Sequence, residues 1–335
     1  MKTKEYGGID YFRMVAALLV VAIHTSPLIQ INETSDFILT RIIGRVAVPF
    51  FIMATGFFMY KDAKITKERL KSFVAKTLKL YMIGIVVYIP INLYMGYFKQ
   101  ENLLIHIVKD IIWNGTMYHL WYLPGVVLGA IIIYFLINKL GKMWTIGISI
   151  LLYMIGLFGD SYYGMIVHNE GLKIIYDFLF HIFDYTRNGL FFVPIFLMLG
   201  IIIKDQTEKK SFIISMLGLA ISTSFMIVEG LLLHKYQLQR HDSMYILLIP
   251  TMYFLFHVLI QLKGKGSLVL RELSMLVYLI HPFMIVVVRV AGKILKVEEL
   301  FINNNMIHFI LVSIGSCIFG LIVIWIKNRM NVKMK

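Results

Sequence analysis

One cysteine, Cys317, occurs in 335 residues. A lone thiol closes no disulfide within the chain and builds no thiolate metal site, so neither a disulfide scaffold nor a structural metal is expected. Acidic residues are scarce, 19 Asp and Glu against 33 Lys and Arg, and only 16% of residues are charged. No linker, low-complexity tract or clear repeat is visible. HExxH, P-loop, GxSxG and dinucleotide fingerprints are all absent. No lysine stands in a Schiff-base context, so a pyridoxal site is not supported within these residues.

What the chain has is apolar length. It is 59% hydrophobic, with a mean hydropathy of +0.77, against roughly 45–50% apolar residues in soluble domains. The excess falls into ten runs, near 9–28, 40–60, 77–97, 119–138, 143–159, 189–203, 211–233, 243–262, 270–290 and 305–326. About 20 apolar residues cross roughly 30 Å of hydrocarbon as a helix. Open sheets leave backbone groups unpaired in lipid, and β-barrel strands alternate polar and apolar residues. The expectation is therefore all-α: one polytopic membrane domain, 1–335, of about ten helices in the cell membrane. The first run is expected to remain in the protein, because it is long, carries Arg13 and His24, and is followed by no small-residue cleavage site.

The formal net charge is +14. In a soluble protein that excess would suggest nucleic acid. Here its distribution gives another account. With ten spans both termini share a side, and that side holds 21 Lys and Arg against 8 on the other. The positive-inside bias places both termini in the cytoplasm, where basic loops suit anionic headgroups, and no nucleic-acid partner is expected. Within the basic segment 61–79, Ile65, Leu70, Phe73, Val74 and Leu78 have the spacing of an amphipathic helix lying on the cytoplasmic surface. The longest external loop, 160–187, carries Asp160, His168, Glu170, Asp177, His181 and Asp184; a loop of that length without structure of its own is usually functional.

The candidate site residues are the polar ones inside or at the rims of spans, where ionisable groups are costly. Arg13 and His24 share the first run and, at about 100° per residue, one helix face, roughly 16 Å apart. Facing one polar chamber, Arg13 would hold a phosphate or carboxylate and His24 would take a proton from a hydroxyl. Headgroup snorkelling and carbonyl capping explain the same two residues without function. In the second run Arg45 lies near Pro49 and Thr55-Gly56, a kinked and closely packed setting. His119 and Trp121 open the fourth run, where an aromatic belt alone accounts for the tryptophan. Arg187 opens the sixth. Glu229, in the seventh run, is expected to pair with an intramembrane arginine, which the sequence does not identify. His281 precedes Pro282, and satisfying the carbonyl freed by that proline is an equally good role for it.

These pieces resemble the acyltransferase-3 family of integral membrane proteins. Arg13 and His24 match its Arg/Lys, ten residues, His pattern. Arg45, Pro49, Phe50, Phe51, Gly56 and Phe57 match its second-span pattern, with Thr55 where serine is common. Trp121-Tyr122-Leu123 and Tyr278-Leu279-x-His281-Pro282 fit as well, and the resemblance runs through the whole chain. IDYFRMVAALLVVAIHTSPL, YHLWYLPG, GLFGDSYYG, DYTRNGLFF, HDSMY and IHPFMIVVVR are similar to the membrane half of vancomycin-resistance membrane serine racemases. In that group a cytoplasmic pyridoxal-phosphate racemase domain follows. The membrane half is thought to bring in L-serine, and D-serine then enters cell-wall precursors.

The resemblance implies three readings. In the first, the domain binds and imports L-serine, with an arginine on the carboxylate and Asp160, Asp184 or Glu229 on the ammonium group. A fused or associated racemase domain would be its partner; these 335 residues would not racemise by themselves. In the second, it is an O-acyltransferase that takes acyl-CoA on Arg13 and uses His24 as general base, with His24 and Arg13 as the catalytic pair. In the third, it anchors a soluble partner. A homo-oligomer and bound membrane lipid are compatible with each.

Overall fold

The computed structural model describes residues 6–62, 64–206 and 211–333. Lys2, Lys4, Lys209, Lys210 and Lys335, counted above in the charge bias, lie outside the described residues, as does Ala63 of the basic segment. The described structure is helical, apart from an isolated bridge between Lys61 and Lys64. The α-helices are α1 (Gly7–Thr25), α2 (Glu33–Phe37), α3 (Ala47–Met59), α4 (Lys67–Tyr94), α5 (Leu103–Lys109), α6 (Tyr122–Phe158), α7 (Glu170–Ile182), α8 (Val193–Asp205), α9 (Phe212–Lys235), α10 (Leu248–Gln261), α11 (Leu268–Ile294) and α12 (Asn305–Lys333).

By length and composition, 7 helical stretches among the described residues suffice to cross a membrane. The ten apolar runs map onto these and two shorter helices. One stretch, α6, holds two runs. Gly141 inside it has φ 78° and ψ 173°, which is not helical. A Cβ on Gly125 would lie near Gly189, and one on Gly156 would lie against Phe191. On a straight helix those two glycines would stand about 46 Å apart. The chain therefore turns back at Gly141, and α6 is a hairpin of two antiparallel helices. The shorter helices are α8 and α10, 13 and 14 residues long. At about 20 Å each they fall short of the hydrocarbon thickness.

Two other expectations change. The basic segment is not a separate surface helix. Thr66 caps α4 by accepting from the Arg69 N–H at 3.4 Å, and the helix then runs without a break into the third span. The residues from Lys67 to Leu80 include no glycine or proline and are dominated by good helix formers, so nothing stops propagation. The 160–187 loop also has structure of its own, namely α7, capped where Asn169 accepts from the Leu172 N–H at 3.0 Å.

The described residues divide into two compact units. Unit 1 comprises the described parts of 1–50, 210–223 and 254–335; unit 2 comprises those of 51–209 and 224–253. In unit 1, α1, α11 and α12 pack through Ala17, Val21, Val277, Val288 and Val312. In unit 2, α8 is buried over most of its length. It crosses α3 at two glycines: a Cβ on Gly56 would collide with the Leu197 carbonyl, and one on Gly200 with that of Met53. Such close backbone approach is how helices associate in lipid, where apolar side chains gain little by leaving the solvent.

Candidate functional site

In unit 1 the polar groups gather on the face of α1 that meets α11. Asp10, in the first turn, is 1% exposed. Arg271 grips its two oxygens from Nε and Nη2 at 2.7 and 2.8 Å. The Ser267 N–H donates to it at 2.9 Å, and the Arg13 Nε lies 3.6 Å away. One buried carboxylate thus meets two guanidinium groups, a bidentate geometry suited to arginine. Gly7 and Gly8 permit it, because a Cβ on either would strike the backbone of Gly264 or Leu259.

Toward the other end of α1, His24 lies against His281 of α11, ring centroids 5.4 Å apart and 21° from parallel. His281 is fully buried. Pro282 has no N–H to give Tyr278, and the His281 Nδ1 takes that carbonyl at 2.9 Å and the Val277 carbonyl at 3.2 Å. Both neighbours are acceptors, so Nδ1 carries the hydrogen and a neutral ring keeps its lone pair on Nε2. The carbonyl role is therefore real, and it fixes the tautomer. Polar groups close over this end. The Asn305 Nδ2 donates to the Thr25 carbonyl at 3.0 Å, and Gln30 bonds the Asn303 carbonyl.

Arg13 and His24 do share a helix face, but not one open channel along the α1–α11 seam. Ala17 and Val21 lie between them on that face and pack with Val277. The seam holds two polar clusters about 21 Å apart along α1, with aliphatic side chains between. Arg45 occupies a 3-10 turn, Ile43–Val46, which follows a π turn, Ile38–Ile42. That junction makes the irregularity expected from Pro49, and such interruptions often mark functional positions. Pro49 itself falls in the first turn of α3, where its missing N–H costs nothing.

In unit 2 the remaining candidates sit on loops, apart from Glu229, which lies on α9. Asp160 is buried; one oxygen accepts from the Ser243 and Met244 N–H groups at 2.7 and 3.0 Å and from the Ser161 hydroxyl at 2.9 Å. Glu229 accepts from the Ile246 and Leu247 N–H groups at 2.6 and 2.9 Å and from the Tyr162 hydroxyl at 2.7 Å. It meets these groups where an intramembrane arginine was expected. Burial, then the bond to Glu229, pushes the Tyr162 phenol well above its ordinary range, so it stays a donor. Both carboxylates brace the segment 243–247 through its N–H groups, those of Ser243 and Met244 on Asp160 and those of Ile246 and Leu247 on Glu229. Asp184 accepts from the Asn114 Nδ2 at 2.6 Å and lies 4.0 Å from the Lys109 ammonium.

Arg187 lies over Trp121, 4.9 Å from the ring centroid, and 5.1 Å from that of Tyr185. Tyr185 in turn meets His241 at 4.6 Å. Aromatic faces on a guanidinium fix its plane and leave its edges for in-plane acceptors. His119 is buried against the edges of Tyr88 and Tyr118, at 5.0 and 5.7 Å. The structure therefore joins Arg187 to Trp121 and His24 to His281. It holds Arg13, His24, Arg45 and His281 in unit 1, and His119, Trp121, Asp160, Asp184, Arg187 and Glu229 in unit 2. Sequence reasoning missed Asp10, Arg271 and His241. An acid one turn before an intramembrane arginine was the available signal for Asp10.

The acyltransferase-3 family, described as an acyltransferase domain, matches residues 6–326. Among curated relatives, an amino-acid racemase of Enterococcus faecalis is 42% identical over 99% of this chain and 47% of its own length. A second amino-acid racemase of that organism is 35% identical over 97% of the chain, and a serine/alanine racemase of Enterococcus gallinarum 33% over 98%; in each, 47% of the relative is covered. The chain thus spans about half the length of the curated relatives it matches. No solved structure matches it. With its apolar helices, its α1 arginine and histidine, and a family match along almost its whole length, the chain belongs to the acyltransferase-3 family of integral membrane proteins.

Proposed function

We propose that this chain is the membrane domain of a serine-racemase system, binding L-serine and carrying it inward so that D-serine can reach cell-wall precursors. Racemisation would fall to a fused or associated pyridoxal-phosphate domain. The relatives' names and half-length coverage support this. The observation that carries it is the α1–α11 seam: two polar clusters at different depths, with an aliphatic barrier between them that includes Ala17, Val21, Leu273 and Val277. A carrier opens its site to each side in turn, so such a barrier would have to part. Arg13 or Arg187 would hold the carboxylate of the amino acid. Proteoliposomes containing the chain should take up labelled L-serine, and Ala17→Phe should abolish uptake by wedging the barrier shut. Absence of uptake, together with no thermal stabilisation by serine, removes the reading.

A second reading is favoured by the family match and by the Nε2 lone pair of His281. In an O-acyltransferase, acyl-CoA phosphates would meet Arg13. The His24–His281 pair would take the proton of an acceptor hydroxyl as its oxygen bonds the acyl carbonyl carbon, and that proton would leave with the CoA thiol. Acyl-CoA binding lost in Arg13→Ala supports it; no binding to the intact chain refutes it.

A further inference from the structure

We infer that α5, the π turn Asp110–Asn114 and α7 form a lipid-embedded collar on unit 2, their apolar faces buried in the bilayer leaflet at that end of the spans. The inference is independent of the proposed function. Neither helix is a span, at 7 and 13 residues. Each carries an outward apolar stripe. Leu104, Ile105, Val108 and Ile112 are exposed at i, i+1, i+4 and i+8, with Leu104 75% exposed; Ile174, Ile175, Phe178 and Ile182 repeat the same spacing, with Phe178 65% exposed. That is the stripe of an amphipathic helix with nothing of its own chain against it.

Depth identifies the occupant. Tyr81 lies about 20 Å below the last residue of α4. Its hydroxyl nevertheless donates to the Asp110 and Ile111 carbonyls, at 3.1 Å each. A tyrosine side chain spans only part of that distance, so the α5 segment doubles back alongside the span. It packs on the buried face of α4, and beside it Met82, Val86 and Leu93 of the same helix are exposed. The ring of Trp113 meets Phe183 at 4.8 Å, and the Asp184 carboxylate bonds Asn114, which ties the end of α7 to the same level. A soluble partner would have to reach below the rim of the bundle; lipid is already there.

Charge sharpens the inference. Along 99–114 and 170–182, Lys99, Lys109 and Lys173 stand against Glu101, Asp110, Glu170 and Asp177, so the collar carries no net positive charge. Insertion therefore rests on apolar area and is insensitive to anionic headgroups.

The test uses the full chain with Cys317→Ser, carrying Leu104→Cys, Phe178→Cys or, on the polar side of α7, Asp177→Cys. Each is labelled with an environment-sensitive fluorophore and reconstituted in phosphatidylcholine vesicles with and without phosphatidylglycerol. Labels at 104 and 178 should lose most of their emission to brominated lipid and little to aqueous iodide, with the reverse at 177 and no change with phosphatidylglycerol. Iodide quenching at 178 overturns the inference. So does shielding from both quenchers with elution as a dimer, which would make the face an interface between copies. Insertion only with phosphatidylglycerol overturns the charge argument. Should a cysteine variant fail to fold, photolabelling of the unmodified chain by a carbene-bearing lipid decides the matter: adducts should fall on 104–112 and 174–182, and their absence there refutes the collar.

Discussion

His24 and His281 stack with ring centroids 5.4 Å apart. Two backbone carbonyls dictate the tautomer of His281 and fix its Nδ1–H toward α11. The other ring stands in the last turn of α1.

His281→Ala should cost both stability and function, since it leaves the Tyr278 carbonyl unserved and a cavity beside Pro282. The loss is expected at about 2–4 kcal/mol. His281→Asn keeps a donor at that position and should recover much of the melting temperature, but not serine uptake or acyl transfer. Recovery of both would make the ring itself dispensable.

Asp10→Asn removes the charge that Arg271 grips and Arg13 approaches. The Arg271 side chain is 40% exposed, so water softens the loss, expected at roughly 1–3 kcal/mol. Arg271→Gln on the wild-type background should cost a similar amount, and the double variant less than the two combined. Thermal melts of the four proteins in one detergent measure the coupling. Strict additivity would mean that the contact contributes nothing.

Asp160→Asn and Glu229→Gln separate bracing from substrate binding. Each carboxylate serves backbone N–H groups of 243–247, and each lost charged acceptor is expected to cost about 1.5–3 kcal/mol. Melting temperatures should therefore fall, with the KM for serine nearly unchanged in what remains folded. A large rise in KM at constant melting temperature would instead place these groups on the ammonium of the substrate.

Gly141 and Gly147 make a matched pair. A Cβ at either meets nothing within 4 Å, but only Gly141 has a positive φ. Gly141→Ala should destabilise by about 1–3 kcal/mol through backbone strain alone. Gly147→Ala, inside the helix, should be neutral or stabilising by up to about 1 kcal/mol. Equal effects would show that the hairpin bend does not depend on that conformation.

The local parts of this fold are legible in the sequence, and the long-range parts are not. Apolar runs locate helices because lipid enforces internal backbone bonding. His281-Pro282 reads correctly because the freed carbonyl is one turn away. Arg271 looks like one more positive loop residue until it is seen on Asp10, and no periodicity links the two. Glu229 attracts an arginine by charge reasoning, but an irregular backbone segment claims it first, since unpaired N–H groups in a dry interior are costly. The α7 helix could have been found: Ile174, Ile175, Phe178 and Ile182 already have helical spacing within what reads as a loop. The length of α4 was obscured because lysines on its first turns look like a surface element, although lysine is itself a good helix former.

That uninterrupted α4 makes the basic stretch a lever and not a tether. From Lys67 to the proline near its far end no hinge separates the charged turns from the lipid-facing ones. At about 1.5 Å per residue the rod exceeds the hydrocarbon by roughly 12 Å. A few degrees of tilt within the bilayer would swing its lysine-bearing tip through the water by a proportionate arc, so an acidic surface resting there would register movement of the span directly.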